Sequence, residues 1–205
     1  VSAAGKQNST LYTLTLKDSR QLEGFILEKT EQGLEIRFKH RVHAAKGDTP
    51  LTGITIMVDP GHGGAETGAI GPLGLKYAEK DINLDNGFRL KGELEALGAT
   101  VLMTRTTDTD LSLADRLKAS KEARPDMFIS IHANAMPDNK DMNKYFGFSS
   151  YHREAHSRTL AQIILDQATT ALGRVNHGIH QKNFYVVKGT WTPSLLIECG
   201  FVPNP

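Results

Sequence analysis

The stretch that most constrains this chain is a short apolar run, Ile54 to Val58, broken at once by Asp59-Pro60-Gly61-His62-Gly63-Gly64. A run of that length ending in proline and glycines reads as a strand that delivers the chain into a tight loop. Glycines on both sides of His62 allow positive φ and let the backbone approach closely whatever the imidazole holds. In open α/β sheets the functional crevice lies beyond the carboxyl ends of the strands. His62 is therefore a candidate site residue. The plainer reading, a tight turn with an incidental histidine, can be weighed only against the rest of the chain.

From residue 54 onward, strand and helix patterns alternate. Lys76-Tyr-Ala-Glu79 leads into a helical pattern with Leu84, Phe88, Leu90, Leu94 and Leu97 on its apolar side, stopped by Gly98. Thr100 to Thr104 reads as a strand. Ser112-Leu-Ala-Asp115 reads as a capping box for a helix ending before Pro125. Met127 to His132 and Phe146 to Tyr151 read as strands, Glu154 to Leu172 as an amphipathic helix closed by Gly173, and Phe184 to Val187 and Leu195 to Cys199 as the last strands. Six strands and three helices in this order predict an α/β fold: a twisted, mostly parallel six-stranded sheet covered by helices on both faces.

Residues 1–50 follow another rule. Tyr12 to Leu16, Leu22 to Glu28 and Leu34 to Phe38 carry the period-two alternation of half-buried strands, which predicts a small β-meander. Such a unit is marginal alone, so it reads as the tail of a larger β module or an add-on packed on the next domain. Gly47, Asp48 and Pro50 mark a linker, dividing the chain into 1–50 and 51–205. The 24 Lys+Arg against 23 Asp+Glu leave a net charge of +1, without the basic excess of a nucleic-acid binder. No apolar run approaches the roughly 18 residues of a membrane span. No signal peptide is visible at Val1-Ser-Ala-Ala-Gly5, which predicts a trimmed or mature form. One cysteine, Cys199, excludes an internal disulfide and a cysteine-rich zinc finger.

Two further stretches weigh on His62. Ser130-Ile-His132-Ala-Asn134 places a second histidine at a strand's carboxyl end, where alternation puts Ser130 and His132 on one face. Glu79 opens the helix after the His62 loop; a carboxylate there also suits the helix dipole without further purpose. Two imidazoles and a carboxylate are a known catalytic Zn²⁺ set with an open fourth position. Their separations of 17 and 53 residues suit ligands gathered from separate elements rather than a finger. Glu198, inside Leu195-Leu196-Ile197-Glu198-Cys199, is costly to bury without a partner or a task. General acid–base work is such a task. Cys199 alternates to the other face and reads as a small buried hydrophobe. His152 and His156 fall four apart beside Arg153 and Arg158 and read as surface residues. His177 and His180 read as a loop near substrate or solvent. Trp191 borders the groove or packs.

Val58-Asp-Pro-Gly-His-Gly-Gly64, Glu79-Lys-Asp-Ile-Asn-Leu84, Thr104-Arg105 with Asp108, Arg116, Ser130-Ile-His-Ala-Asn134 and Leu196-Ile-Glu-Cys-Gly-Phe201 occur in order. Together they resemble the zinc-dependent N-acetylmuramoyl-L-alanine amidases of the amidase-3 type, over about residues 54–205. The resemblance implies one Zn²⁺ per catalytic domain held by His62, Glu79 and His132, with Glu198 as catalytic acid/base. It implies hydrolysis of the amide between N-acetylmuramic acid and L-alanine, peptidoglycan as partner, and an extracytoplasmic location. Asn134 and Lys188 are candidate substrate contacts, Lys188 standing where the family commonly has arginine. The family continues into a final helix past the Gly-Phe motif, so this chain is expected to be truncated at its C-terminus. Ala135 to Tyr145 offers only a polar loop, which predicts an open site without a plugging helix. Another zinc hydrolase of peptidoglycan (a peptidase or a deacetylase) and a non-catalytic wall-binding module remain alternatives. Residues 1–50 are a candidate wall or activator contact without a readable ligand signature.

Overall fold

Alternation in the first fifty residues folds as two separate hairpins rather than one three-stranded meander. The structure, a computed structural model, describes residues 2–6, 9–15, 22–71, 74–135 and 146–202. Strands β1 (Ser2–Lys6) and β2 (Ser9–Thr13) pair antiparallel, as do β3 (Gly24–Thr30) and β4 (Gly33–Lys39). Strand β1, Ser-Ala-Ala-Gly-Lys, lacks the large apolar residues that alternation needs, which is why it left no signal. The second hairpin is fastened to the rest of the chain. Phe25 N donates to Thr190 O at 2.8 Å. The buried Lys39 Nζ donates to Pro125 O at 2.7 Å and pairs with Asp126 at 3.1 Å. A Cβ on Gly24 would lie 1.9 Å from Trp191 O, so only glycine permits this approach.

The remaining elements are β5 (Thr55–Pro60), α1 (Glu79–Ala96), β6 (Thr100–Met103), α2 (Leu113–Ala123), β7 (Met127–Asn134), β8 (Phe148–His152), α3 (Arg158–Leu172), β9 (Asn176–Gln181) and β10 (Ser194–Phe201). The six strands from β5 to β10 form one sheet in the order β6-β5-β7-β10-β8-β9. Every pairing is parallel except β8 with β10. On one face Ile56, Val58, Ile129, Ile131, Leu195 and Ile197 meet Leu90 and Leu94 of α1 and Ala161 and Ile164 of α3. Cys199 packs on this side, as alternation requires. On the other face Met57, Phe128 and Leu196 meet Val186 and Val187, with Ala119 of α2 packed against them.

Three elements differ from the sequence expectation. Phe184 to Val187 is no strand: residues 185–187 form a 3₁₀ turn. A strand would send Val186 and Val187 to opposite faces, whereas both are buried together against the sheet. The sixth strand is β9, Asn-His-Gly-Ile-His-Gln, whose polar composition reads as loop. It lies at the sheet edge, paired with β8 alone, where burial demands little of its side chains. The third helix starts at Arg158 rather than Glu154, after a short 3₁₀ turn. Helix α1 is also less apolar than its leucines suggest, since Phe88 and Leu97 are exposed. Its sheet-facing line runs Glu79, Asn83, Gly87, Leu90, Leu94. Polar at the start, that line reserves its first turn for the site. The Ser112 cap and the αL Gly173 stop are as expected: Ser112 Oγ accepts from Asp115 N at 3.1 Å, and Gly173 has φ 58°.

Candidate metal centre and active site

Asp59, Pro60 and Gly61 carry β5 into the His62 loop, and two arginines grip that passage. Arg116, in the first turns of α2, donates from Nη1 to Asp59 Oδ1 and Pro60 O, both at 2.7 Å, and from Nη2 to His62 O at 2.7 Å. Arg105 donates to Pro60 O at 2.9 Å and Gly61 O at 3.0 Å. Asp59 is fully buried and accepts also from Thr104 Oγ1 at 2.6 Å and Ser130 Oγ at 2.7 Å. Both oxygens of this carboxylate are therefore answered. His62 itself sits at φ 59°, a left-handed conformation rare for a residue with a Cβ and costing about 1–2 kcal/mol. The arginine on its carbonyl holds it there.

Three elements bring the predicted donors together. His62 leaves the β5 loop, Glu79 opens α1, and His132 stands near the end of β7. His62 Nε2 lies 3.2 Å from Glu79 Oε2, and His132 Nδ1 lies 3.0 Å from Glu79 Oε1. One donor atom from each residue falls within 4.8 Å of the others. Ligands about 2.0–2.1 Å from a tetrahedral ion stand about 3.3 Å apart, so the set fits Zn²⁺. Glu79 is fixed from several sides: Ala69 N donates to Oε2 at 2.9 Å, and Ala133 N and Asn83 Nδ2 donate to Oε1 at 3.1 and 3.2 Å. Burial alone would raise its carboxyl. The contacts from His132, His62, Ala69 N and Ala133 N prevail and hold it well below the usual carboxylate range. Such fixing of a ligand by its neighbours tunes metal affinity.

Glycine makes room for this cradle. A Cβ on Gly61 would stand 2.2 Å from the His132 ring, and one on Gly68 would stand 2.5 Å from Glu79 Oε2. Gly61→Ala is therefore expected to displace His132 and weaken Zn²⁺ binding by at least about tenfold. Competition with a chromophoric chelator measures this, with circular dichroism reporting the fold; native affinity in the variant would contradict the cradle.

Glu198 lies on β10 in register with His132 on β7, so both side chains emerge on the same face. Its Oε2 is buried, and among the described residues nothing hydrogen-bonds it. Burial, and then the nearby Glu79, push its carboxyl up to about 8. Such an unpartnered acid can accept and return a proton near neutral pH. Cys199 is pushed up to about 12 by burial and then by Glu198, which leaves it no role as a nucleophile.

His62, His132 and Glu198 open onto a groove of about 760 Å³. Leu111, Leu113, Phe184 and Tyr185 are among the residues that line it. Asn134 ends β7, its carbonyl accepting from Val202 N at 3.0 Å. Lys188 stands outside the groove lining, with Nζ 4.5 Å from the Tyr185 ring centroid. Trp191 packs against the second hairpin, 5.9 Å from Lys39 Nζ and from the Arg124 guanidinium. His152 is buried at the end of β8 rather than on the surface, and His156 buries an Nε2 that has no hydrogen-bond partner among the described residues. The turn that follows β8 is tied to the start of β10, where Ser194 N donates to Ser157 Oγ at 3.0 Å. His177 and His180 lie on β9. The expectation of an open, unplugged site falls largely on residues 136–145, outside the described residues, as does Pro205.

The grip on the loop is what the residue-by-residue reading missed. Asp59 read only as the end of a strand, and Arg105 and Arg116 read as motif members without a task. A carboxylate inside a strand beside proline was the available signal.

The family model described as N-acetylmuramoyl-L-alanine amidase (Amidase_3) matches residues 56–205. The chain is 37% identical over 155 residues to the N-acetylmuramoyl-L-alanine amidase LytC of Bacillus subtilis, covering 76% of this chain and 31% of that protein. It is 38% identical over 161 residues to the probable cell wall amidase LytH of Staphylococcus aureus, covering 78% of this chain and 52% of that one. The chain thus spans about a third to a half of these relatives. Among solved structures, the N-acetylmuramoyl-L-alanine amidase of Clostridium difficile 630 superposes with a TM-score of 0.69 at 31% identity, over 74% of this chain and 82% of that one. The amidase AmiC2 of Nostoc punctiforme gives 0.68 at 31%, over 75% and 83%.

Proposed function

The chain belongs to the N-acetylmuramoyl-L-alanine amidase family, and from that premise we propose that it cleaves the amide joining N-acetylmuramic acid to the L-alanine of the stem peptide. The reaction is hydrolytic and uses one Zn²⁺ held by His62, Glu79 and His132. When bound, such an ion supplies Lewis acidity, polarising a carbonyl oxygen and making water a stronger acid. The observation that carries the reading is the Glu198 carboxylate in register with His132, its Oε2 buried and without a hydrogen bond among the described residues.

Glu198 accepts the proton of the attacking water as the new C–O bond forms, then delivers it to the departing nitrogen of L-alanine. The products are a muramyl carboxylic acid and a stem peptide with a free amino terminus. Arg105 and Arg116 keep the His62 loop in place while the substrate lies in the groove, excluding bulk water from Glu198. Lys188 offers a cation to the substrate beside Tyr185, and Asn134 offers an amide at the end of β7. Peptidoglycan places the work outside the cytoplasmic membrane, with residues 1–50 as a further wall or activator contact. Among the described residues no helix is long and apolar enough to cross a membrane.

The test is digestion of purified peptidoglycan followed by mass spectrometry. Intact stem peptides beginning with L-alanine, and glycan chains retaining the lactyl acid, are expected. Chelation should stop their release and added Zn²⁺ should restore it. Shortened peptides with the muramyl amide intact would identify a peptidase, and released acetate a deacetylase.

A further inference from the structure

The lining of the groove is chemically mixed. Leu111 and Leu113 offer aliphatic contacts, whereas Phe184 and Tyr185 offer two aromatic rings about 40% and 41% exposed. These rings stand on a rigid base. Val186 and Val187 behind them are buried against Met57 and Phe128, which fixes the turn. The Phe184 ring lies 5.1 Å from Tyr151, and Tyr151 lies 5.2 Å from His180. The Lys188 ammonium stands over the Tyr185 ring. A fixed pair of half-exposed rings beside a catalytic carboxylate is a prepared contact surface.

We propose that Phe184 and Tyr185 form a sugar subsite, against which the pyranose ring of the muramyl residue lies. The stem peptide then leaves along Leu111 and Leu113. This rests on the amidase reading. A pyranose presents a face of C–H groups, weakly positive, that matches the negative face of an aromatic ring. Its hydroxyls radiate at the ring edge and stay hydrated, which a rim subsite with half-exposed rings permits and an enclosed pocket does not. The first residue of the peptide carries only a methyl group, suited to the aliphatic side. Glycan and peptide are thereby held on chemically different stretches of the groove that Glu198 also lines. The β8–β9 edge, with Tyr151 and His180, acts as backing for the sugar side. Tyr151 and His180 are positioning residues here.

Calorimetric titration of the full chain with two probes tests the assignment: a peptide-free tetrasaccharide of alternating N-acetylglucosamine and N-acetylmuramic acid, and a free tripeptide beginning with L-alanine. Phe184→Ala combined with Tyr185→Ala is expected to weaken tetrasaccharide binding roughly tenfold. The tripeptide constant should move far less. The aromatic exchange Phe184→Tyr with Tyr185→Phe should restore tetrasaccharide binding, which a merely structural loss would not explain. Tetrasaccharide binding that is absent, or indifferent to both substitutions, overturns the subsite. So does a loss that falls on the tripeptide instead. Neither result touches the amidase reading, which the released products decide separately.

Discussion

Replacing Glu198 with glutamine is expected to lower kcat on peptidoglycan by about 10²–10⁴-fold, with Zn²⁺ content near that of the native protein. Glutamine keeps the volume and the polarity of the side chain but cannot take a proton. The three proposed metal donors come from other elements, so the substitution leaves them in place. Stem-peptide release by mass spectrometry and metal analysis on the same sample check both halves. Turnover close to native would remove Glu198 from the chemistry. The same substitution carries a second, independent signature in the metal-stripped protein. The ordinary value for this carboxyl is 4.5, and burial followed by Glu79 pushes it up to about 8 in the fold. Below 4.5 both folded and unfolded chains hold the proton, so nothing is lost. As pH rises from there toward 8, the unfolded chain releases the proton while the fold retains it, and stability falls. Each pH unit in that interval costs about 1.4 kcal/mol, and above it the loss is complete. Glu198→Gln should therefore melt like the parent in acid and visibly higher at mildly alkaline pH. Equal melting differences at both ends would mean that the carboxyl is not held protonated.

Asp59→Ala should destabilise the fold by about 3–5 kcal/mol, because it strands the Arg116 guanidinium, 3% exposed, in the interior. Arg116→Met leaves the mirror defect, a fully buried carboxylate retaining only hydroxyl partners, and should cost a similar amount. The double variant should recover part of the loss, since removing both charges leaves neither unpaired. Urea unfolding at fixed metal load measures all three. A change below about 1 kcal/mol for either single variant, the range of exposed ion pairs, would show that the pair does not fasten the fold. Arg116→Met should also release the His62 carbonyl, so its Zn²⁺ affinity should fall more than that of a variant equally destabilised elsewhere.

What the sequence made legible follows from where burial and periodicity coincide. Ile54 to Val58, Met127 to His132 and Leu195 to Cys199 lie at or near the middle of the sheet, where apolar side chains are compulsory. They read correctly, and with them the positions of His62, His132 and Glu198. At the edge the rule relaxes. Strand β9 is polar because it has a neighbour on one side only, and Phe184 to Val187 mimicked a strand because a 3₁₀ turn can bury two successive valines. Glu79 was legible through its motif rather than through helix periodicity, since the face it occupies is polar by purpose. The clasp of Asp59 with Arg116 was not readable from periodicity, because 57 residues separate partners that only the parallel topology brings side by side. Trp191 could not be placed until the β3–β4 hairpin supplied its partner.

The carbonyls of Pro60, Gly61 and His62 are held by guanidinium groups rather than by an ion, and this bears on how the protein meets scarcity of metal. A loop shaped by its own side chains behaves as a socket that stands ready. Starved of zinc, the chain should stay folded with its donors still grouped and regain activity on resupply without a refolding delay.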